Sequence, residues 1–478
     1  MKFRTRFAPS PTGYMHIGNL RTALYEYLIA KANGGDFVLR IEDTDQKRQV
    51  EGAEDIIYKT LKTVGMFWDE GPDIGGDFGP YVQSERKDLY APFAHKLVEL
   101  GGAHYCFCPE REEVAKDEEN GENIMKFNDP CKKIPLEEAK KRVAAGEPYV
   151  IRQTINKKGK SKYHDEVYGD IEIDYDELDE GVLLKSDGFP TYNFANVIDD
   201  HLMEISHVVR GNEYVSSTPK YNLMYEAFGW EHPKYVHVPP VMKDAQHKLS
   251  KRNGDASFQD LVVKGYLPEA IINYIALLGW NPGTEEEIFS LDELKKTFTI
   301  DRLSRSPSIF DITKLTWMNG VYIRALSPEK FHELALPYYQ KSLTKELNLK
   351  FLSGILQPRV ETLADIEAQT KFFEQVEDYP LSLYENKKMK TDVQVAKTTL
   401  KIAFDSLKKV DEWTNENLFA VLKEEAQKAE LKNGQILYPV RVALSGRETT
   451  AGGATEIAVV LGKDETLNRI ESALKKLM

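Results

Sequence analysis

The chain has 478 residues, a formal net charge of −13 and 41% hydrophobic residues, and it contains three cysteines. This length predicts several domains with enough apolar residues for real cores, and the acidic balance argues against a generic nucleic-acid binder. The apolar runs are too short to span a membrane, and so few cysteines indicate a reducing compartment without disulfides. We therefore expect a cytoplasmic protein that lacks a signal or transit segment.

A strand, a tight turn and a helix are predicted at the start of the chain. Residues 4–8 alternate polar and apolar side chains, residues 9–13 hold two prolines and a glycine that cannot continue a strand, and residues 20–28 carry an apolar stripe with helical spacing. His16 and Gly18 then lie at the helix N-terminus, where backbone N–H groups and the helix dipole attract phosphate. The alternative is an ordinary strand–turn–helix unit in which the histidine has no role.

A second strand is predicted over residues 36–41, and Glu42 follows it directly. Two strands joined by a helix form a βαβ unit, and ligands bind beyond the carboxyl ends of such strands. Topology alone therefore places Glu42 near His16. The alternative for this acidic cluster is a helix cap, formed by Asp43 or Thr44.

The three cysteines lie in the segment after the next predicted helix. The spacing of Cys106, Cys108 and Cys131 is typical of three-quarters of a zinc site. Structural zinc takes four ligands, and no histidine or tyrosine lies between Cys108 and Cys131, so only Asp129, a glutamate or water could complete the set. We therefore expect no bound metal at these cysteines.

Short strands are predicted in the charged segment that follows, at residues 149–152, 171–174 and 182–185. Residues 159–161, Gly-Lys-Ser, resemble the end of a phosphate-binding P-loop. Thr154 stands where that motif needs glycine, however, and no helix is predicted to follow. We interpret residues 159–161 as a polar loop tip.

A helix is predicted over residues 191–198, with Tyr192 and Asn196 on one face because they are four positions apart. The next predicted strand ends in Arg210. An arginine at the carboxyl end of a strand can form a bidentate pair with a carboxylate ligand, or it can join an internal salt bridge. We interpret the Asp-Asp-His sequence at 199–201 as the end of the helix.

Residues 248–252, Lys-Leu-Ser-Lys-Arg, are the second strong signal in the chain. They follow a predicted strand that begins at His237, and a loop and a helix come after them. A basic run is most often a solvated loop, and it can also serve as a phosphate-binding patch.

The last part of the chain is predicted to be helical. Residues 258–325 and the region beyond residue 328 show helical spacing separated by short loops. Predicted helices of this region include residues 360–368, 393–408, 415–428 and 466–476. The net charge of residues 301–478 is +1 whereas residues 1–300 carry −14, so RNA would meet less repulsion at this end of the chain.

Residues 8–18, Ala-Pro-Ser-Pro-Thr-Gly-Tyr-Met-His-Ile-Gly, resemble the first motif of the class I aminoacyl-tRNA synthetases, in the form of their glutamyl branch. Asn19 stands where the motif usually ends in histidine. Residues 248–252 resemble the second motif of this family in its glutamyl form. Two motifs in the expected order identify this family far more specifically than either motif alone. The resemblance extends over nearly all of the chain, including a helical tail typical of the bacterial type.

The resemblance implies an α/β fold: a Rossmann-like catalytic domain with a parallel sheet, split by an α+β insert and followed by an all-helical C-terminal region that binds the anticodon. The predicted segments are the first half of the catalytic domain at 1–95, an insert for the tRNA acceptor end at 96–190, the second half of the catalytic domain at 191–256, a stem-contact helical domain at 257–327 and the anticodon-binding helices at 328–478. We expect a monomer without membrane contact.

The resemblance also implies a reaction: ATP-dependent activation of L-glutamate to glutamyl-adenylate and its transfer to tRNA(Glu), with Mg2+ bound to the phosphates of ATP. The implied catalytic residues are His16, Gly18, Lys248, Ser250 and Lys251. The implied ATP-binding residues are His16, Gly18, Asn19, Lys248, Leu249 and Lys251. The implied glutamate-binding residues are Arg6, Ala8, Ser10, Glu42, Tyr192, Asn196 and Arg210. The implied tRNA-binding residues are Asp45 and Arg359.

Roles within these sets follow from the chemistry of the substrates. Glu42 is expected to take the α-amine of glutamate. Arg210 or Arg6 is expected to take the side-chain carboxylate, because a planar guanidinium binds a carboxylate through two parallel hydrogen bonds. Lys248 and Lys251 are expected to supply positive charge when the α-phosphate becomes five-coordinate.

Three other functions are compatible with the sequence. The first is an enzyme that also charges tRNA(Gln), which the anticodon contacts would decide. The second is an inactive tRNA-binding paralogue of a synthetase, which would be expected to lack motif residues such as His16 or Lys251, both present here. The third is a small-molecule adenylyltransferase, which would leave the last third of the chain without a role.

Overall fold

The computed structural model describes residues 2–45, 49–108, 129–249 and 257–478. Two compact units are present: Met1–Asp260 with Ile271–Asp311, and Leu261–Ala270 with Ile312–Met478. Within the described ranges, no helix has both the length and the apolar content needed to cross a membrane. The bounds of the five segments predicted from the sequence remain predictions.

The strands in chain order are β1 (Arg4–Phe7), β2 (Asp36–Leu39), β3 (Ala103–Cys106), β4 (Val150–Gln153), β5 (Lys160–Asp165), β6 (Gly169–Asp174), β7 (Val182–Leu184), β8 (His207–Gly211), β9 (Lys234–Val238), β10 (Val241–Met242) and β11 (Ser308–Ile309). The helices are α1 (Ile17–Ala32), α2 (Ala53–Thr63), α3 (Lys87–Glu99), α4 (Leu136–Ala144), α5 (Tyr192–Leu202), α6 (Thr218–Phe228), α7 (Phe258–Val263), α8 (Pro268–Ala276), α9 (Leu291–Thr297), α10 (Ile312–Ala325), α11 (Pro328–Ser342), α12 (Leu349–Leu356), α13 (Asp365–Glu374), α14 (Val393–Leu407), α15 (Asn415–Lys428), α16 (Asn433–Ser445), α17 (Ala454–Leu461) and α18 (Lys463–Lys476).

Parallel strands form the centre of the first unit. β1 pairs in parallel with β2, and β8 pairs in parallel with β9, with Arg210 directly opposite His237. Ser206 joins the two pairs, because its N–H donates to Arg4 O at 3.0 Å and its Oγ accepts from Arg4 N at 2.7 Å. The predicted parallel sheet is confirmed, and ligands of such sheets bind beyond the carboxyl ends of the strands.

The insert between β2 and β8 contributes antiparallel strands. β3, β4 and β7 form one small sheet, whereas β5 pairs with β6 and meets β9 through Asp165 and Tyr235. The predicted loop tip at residues 159–161 is therefore wrong for Lys160 and Ser161, which begin β5. Side chains of β5 are alternately exposed and buried, and this period of two favours a strand over a loop.

Helix α1 is deeply buried, and its Leu20, Leu24 and Leu28 are fully inaccessible to solvent. Its Arg21 is also buried, and it donates to Leu278 O at 2.9 Å and to Pro239 O. Two remote chain segments are thereby fixed to the first turns of α1.

Helices supply nearly all the regular structure in the described residues of the second unit, which confirms the predicted helical tail. The helix predicted at 360–368 is shifted, since α13 begins only at Asp365. The carboxylate of Asp365 accepts from the N–H groups of Glu361 and Thr362, at 3.1 and 2.8 Å, and Leu363 N donates to Gly265 O at 3.0 Å. These contacts hold residues 361–363 in a turn.

Candidate active site

His16 caps the N-terminus of α1. Its backbone is extended, and its Nδ1 accepts a hydrogen bond from Gly18 N–H at 3.0 Å. A side chain at Gly18 would place its Cβ 3.2 Å from the same Nδ1, so glycine suits this tight contact. Because Nδ1 accepts, the neutral ring carries its proton on Nε2, where it can donate to a phosphate oxygen. Asn19 is exposed on the next position.

The segment that carries the second motif ends beside this cap. Ser257 forms an antiparallel bridge with His16, and Phe258 N–H donates to Met15 O at 3.0 Å. Backbone hydrogen bonds therefore place Ser257 and Phe258, which follow the second motif in the sequence, directly against the first motif.

The N-terminal end of that segment is also fixed. Arg21 of α1 holds Pro239 just before β10, and Leu249 N–H donates to Val241 O at 3.1 Å. Lys248 is exposed, whereas Leu249 is buried. The described residues on both sides of the segment 250–256 are thus fixed to α1 or to the residues around it. Two predicted catalytic residues lie outside the described residues, Ser250 and Lys251.

Arg210 lies at the carboxyl end of β8 and is 7% exposed. Its Nε donates to His237 Nε2 at 3.1 Å, and its Nη2 donates to Thr218 Oγ1 at 2.8 Å. Among the described residues, no carboxylate lies within ion-pair distance of Arg210. A buried guanidinium without an acid costs free energy unless a ligand supplies the opposite charge.

Three tyrosine rings surround the Arg210 guanidinium, those of Tyr214, Tyr221 and Tyr235, with centroids 5.2, 4.7 and 5.3 Å from its central carbon. The negative ring faces stabilise a buried cation. They offer no negative charge of their own at neutral pH, and burial raises the pKa of Tyr221 to about 12. The Arg210 site is therefore built to keep a positive charge inside the protein.

Glu42 is buried beside a second arginine. Its Oε1 accepts from Arg40 Nη2 at 2.9 Å, and its backbone N–H donates to Pro9 O at 3.0 Å, which joins it to the turn after β1. Burial raises the pKa of Glu42, and Arg40 acts in the opposite direction. One edge of the carboxylate is thus held by Arg40, and the other can accept from an ammonium group.

Arg6 is held differently from Arg210. Its Nε donates to Asp200 Oδ1 at 3.0 Å, and its Nη1 lies 3.4 Å from Glu26 Oε1 and 3.3 Å from Val209 O. The charge of Arg6 is therefore matched by acids of the protein itself. Of the two arginines predicted for the substrate carboxylate, the geometry favours Arg210.

Asn196 and Tyr192 lie on the first turns of α5. Asn196 is 3% exposed, and its Nδ2 has no hydrogen-bond partner among the described residues. Such a buried donor costs about 1–3 kcal/mol unless a ligand accepts from it. The ring of Tyr192 lies 5.6 Å from that of Tyr214, and burial, with the Glu42 carboxylate, raises the pKa of Tyr192. Tyr192 therefore contacts a tyrosine that packs on Arg210 and lies within electrostatic range of both Glu42 and Arg210.

The remaining predicted residues stay predictions. Ala8 is partly buried and Ser10 is exposed, both just beyond the carboxyl end of β1. Asp45 is exposed. Arg359 belongs to the second unit, where its Nη1 donates to Ile355 O at 2.7 Å and its Nη2 lies 3.7 Å from Glu456 Oε2.

Several buried charges of the site were missed from the sequence. The acids interpreted as a helix end are buried: Asp199 accepts from Arg86 Nε at 2.8 Å, and Asp200 accepts from Arg40 Nη1 at 2.8 Å. Arg40 itself is fully buried. An arginine inside an apolar strand, and two acids that follow an apolar helical face, were the available signals.

The three cysteines come together with Asp129. The ligand atoms of these four residues all lie within 4.8 Å of one another. Cys108 Sγ lies 3.7 Å from Cys131 Sγ and 3.8 Å from Asp129 Oδ1. Two ligands of a tetrahedral zinc at about 2.3 Å from the metal are about 3.8 Å apart. The geometry is compatible with a zinc site in which Asp129 is the fourth ligand, the alternative to the metal-free site expected from the sequence.

Elemental analysis of the purified protein is expected to find about one zinc per chain, because three thiolates and a carboxylate complete a four-ligand structural site. Cys131→Ser should lower the zinc content and the thermal stability together. Zinc would join the end of β3 to the turn at residues 129–131. An equal, near-zero zinc content in both proteins would show that the cluster is a metal-free thiol site.

The chain matches two families of known proteins. Residues 2–317 match the class I tRNA synthetases (E and Q), catalytic domain, and residues 330–474 match the anticodon binding domain. The chain is 56% identical to the glutamate--tRNA ligase of Clostridium botulinum over 479 residues, with 100% of this chain and 99% of the relative covered. The corresponding protein of Clostridium tetani is also 56% identical, with 100% and 98% covered.

Solved structures show the same likeness. A crystal structure of a glutamate tRNA ligase from Elizabethkingia meningosepticum in complex with its amino acid has a TM-score of 0.89 at 33% identity and covers 100% of both chains. The glutamate-tRNA synthetase of Elizabethkingia anophelis has a TM-score of 0.88 at 33% identity, with 99% of this chain and 100% of the other covered.

Proposed function

This chain belongs to the class I tRNA synthetases of the E and Q group, and on that premise we propose that it joins L-glutamate to tRNA(Glu) through a glutamyl-adenylate formed from ATP. Its full-length relatives named glutamate--tRNA ligase support the substrate. We further propose that it acts as a monomer in the cytoplasm.

One observation carries this proposal most strongly. Arg210 is a buried cation without an acidic partner among the described residues. It lies at the carboxyl end of β8, and Ser206, just before that strand, is hydrogen-bonded to β1, which leads into the turn of His16. Glutamate supplies the missing carboxylate at the Arg210 site. Its α-carboxylate is then the group that must reach the phosphates.

Different residues of the site bind the two substrates, glutamate and ATP. The side-chain carboxylate of glutamate pairs with Arg210 through two parallel N–H groups. The α-amine donates to the edge of Glu42 that Arg40 does not hold. Backbone N–H groups of α1 and the Nε2–H of His16 hold the phosphates of ATP. Mg2+ bound with ATP would add positive charge at these phosphates and would need few protein ligands.

Activation of glutamate then requires mainly that its α-carboxylate is positioned against the α-phosphate of ATP and that the charge on this phosphate is stabilised. The α-carboxylate oxygen of glutamate attacks the α-phosphate in line, the bond to the β-phosphate oxygen breaks, and pyrophosphate leaves. Lys248 and Lys251 compensate the charge on the five-coordinate phosphate. The ribose 2′-hydroxyl at the end of tRNA next attacks the acyl carbon, and AMP leaves.

Glutamate-dependent exchange between ATP and pyrophosphate tests the proposal directly. Exchange should require L-glutamate, should fail with aspartate or glutamine, and should be measured with and without tRNA(Glu). Glutamylation of tRNA(Glu) should follow, and tRNA(Gln) serves as the comparison that tests tRNA choice. Absence of both exchange and glutamylation would contradict the proposed function.

Lys251→Ala is expected to lower turnover in this exchange by about 10²–10³-fold, because it removes charge stabilisation that is realised only at the reacting phosphate. Binding of ATP should persist. Lys243→Ala is the matched control, since Lys243 is an exposed lysine of the same region and should change the rate by less than about twofold. A near-normal rate for Lys251→Ala would contradict this role.

A further inference from the structure

A chain of three buried polar groups crosses from β5 through β9 to β8. Asp165 Oδ2 lies 2.7 Å from His237 Nδ1, and His237 Nε2 lies 3.1 Å from Arg210 Nε. Asp165 and His237 are fully inaccessible to solvent. The other carboxylate oxygen of Asp165 accepts from Val167 N at 2.9 Å and Tyr168 N at 2.8 Å, which fixes the acid in its own turn.

The direction of each hydrogen bond in this chain is determined. A guanidinium can only donate, so His237 Nε2 must be the unprotonated, accepting nitrogen. The ring proton then lies on Nδ1 and is donated to Asp165, which as a carboxylate can only accept. Burial and the nearby charge of Arg210 lower the pKa of His237, in agreement with a neutral ring. Asp165 therefore selects the histidine tautomer that can hold Arg210.

A threonine completes the support on the same edge of the guanidinium. Thr218 Oγ1 accepts from Arg210 Nη2 at 2.8 Å while its own hydroxyl proton is donated to Tyr214 O at 2.8 Å. The Nε and Nη2 groups of one edge are thus both engaged. The N–H groups of Nη1 have no hydrogen-bond partner among the described residues, and with the second N–H of Nη2 they form the other edge.

We propose that His237 and Asp165 are positioning residues that hold Arg210 with its Nη1–Nη2 edge presented to the side-chain carboxylate of the amino-acid substrate. This inference rests on the proposed function, since it assigns that carboxylate to Arg210. The two residues contact neither substrate, and their effect reaches the reaction only through the orientation of the guanidinium. A displaced guanidinium would bind a carboxylate through one hydrogen bond instead of two.

A purely structural role for the same residues predicts something different. Loss of a buried hydrogen bond lowers stability and the fraction of folded enzyme, which lowers the apparent kcat for all substrates alike. Loss of a positioning contact instead raises the KM for glutamate and leaves the KM for ATP unchanged. A raised KM for glutamate with an unchanged KM for ATP therefore indicates a positioning role, and a lowered apparent kcat with unchanged KM values indicates a structural role.

Two substitutions at position 237 form a matched pair. His237→Gln places an amide oxygen near the Nε2 position and keeps an acceptor for Arg210, but it loses the bond to Asp165. His237→Asn places its amide near the Nδ1 position, keeps the bond to Asp165 and loses the acceptor. Both are neutral amides, so they share the loss of the ring and differ in which partner they retain.

The test measures KM and kcat of the full-length enzyme for glutamate and for ATP, with tRNA(Glu) present, together with melting temperatures. His237→Asn is expected to raise the KM for glutamate by about 10–100-fold and to leave the KM for ATP within about twofold. His237→Gln is expected to retain most of the affinity for glutamate, although it melts at a temperature similar to that of His237→Asn. Equal KM values for glutamate in the two variants would overturn the inference.

Arg210→Ala, measured in parallel, separates this inference from the proposed function. A raised KM for glutamate in Arg210→Ala with none in His237→Asn overturns the positioning role alone. No change in Arg210→Ala removes the substrate assignment as well. Should His237→Asn fail to fold, Asp165→Asn replaces it, because an amide at 165 can donate to Nδ1 and favour the tautomer that cannot accept from Arg210. An unchanged KM for glutamate in Asp165→Asn would equally overturn the inference.

Discussion

Arg210→Ala is expected to lower kcat/KM for glutamate by about 30- to 5,000-fold, equivalent to about 2–5 kcal/mol, while the KM for ATP stays close to that of the wild type. The reason is that the substrate carboxylate would enter a desolvated pocket that offers tyrosine rings and no cation. The loss should appear mainly in the KM for glutamate, because the carboxylate is bound equally before and during the reaction. Steady-state kinetics over a wide range of glutamate concentrations measures it.

Arg210→Lys is the matched control for this experiment. Lysine keeps the charge but replaces the planar fork by a point charge that cannot make two parallel hydrogen bonds. It should therefore recover part of the lost affinity and remain weaker than the wild type. If Arg210→Ala binds glutamate as well as the wild type does, another cation recognises the substrate, and Arg6 becomes the first residue to test.

Arg40→Ala is expected to lower the free energy of unfolding of the first unit by about 3–5 kcal/mol. Arg40 is fully buried and holds Glu42 and Asp200 at 2.9 and 2.8 Å. Its removal leaves the buried Glu42 without its arginine and leaves Asp200 with Arg6 alone. Urea unfolding followed by circular dichroism measures the loss. Lys62→Ala is the control, because Lys62 and Asp73 form an exposed ion pair whose loss should cost about 1 kcal/mol or less.

The pH dependence of that deficit has a definite sign. Although burial opposes it, Arg6 and Arg40 hold the pKa of Asp200 below its usual value. A carboxyl with a lowered folded-state pKa contributes stability at neutral pH and loses it as the pH falls through that pKa. Without Arg40 the folded-state pKa values of Asp200 and Glu42 rise. The deficit of Arg40→Ala should therefore be larger at pH 7 than at about pH 5, and a deficit that grows on acidification would contradict this account.

Local patterns were sufficient to predict much of the fold. The alternation at residues 4–8, the apolar stripe at 20–28 and the turn between them predict β1 and α1, and both are present. These elements depend on neighbours in the sequence. Prediction failed where contacts between distant positions decide the structure. β5 is a strand because it pairs with β6 and β9, and the helix predicted at 360–368 begins late in part because Leu363 is bonded to the distant Gly265.

In the candidate site, too, the features set by local sequence were predicted, whereas the partners from distant parts of the chain were not. The two motifs and the arginine at the end of β8 were visible in the sequence because each lies next to a predicted turn or strand end. The partners that decide how those arginines behave were not visible. Asp200 comes from α5 to hold Arg6, 194 positions earlier, and Asp165 is 72 positions from His237. Only the folded chain shows that Arg6 has acidic partners. It also shows that Arg210 has no acidic partner among the described residues.

The pairing of Arg210 with His237 is fixed by the parallel register of β8 and β9. Gain or loss of one residue within β9 would bring Val236 or Val238 opposite the arginine, and valine offers no lone pair to its guanidinium. Such a shift could leave the strands paired and still remove the acceptor that holds Arg210. If Arg210 has the role proposed above, amino-acid selection is expected to be sensitive to single-codon insertions and deletions in β9, which lies outside both signature motifs.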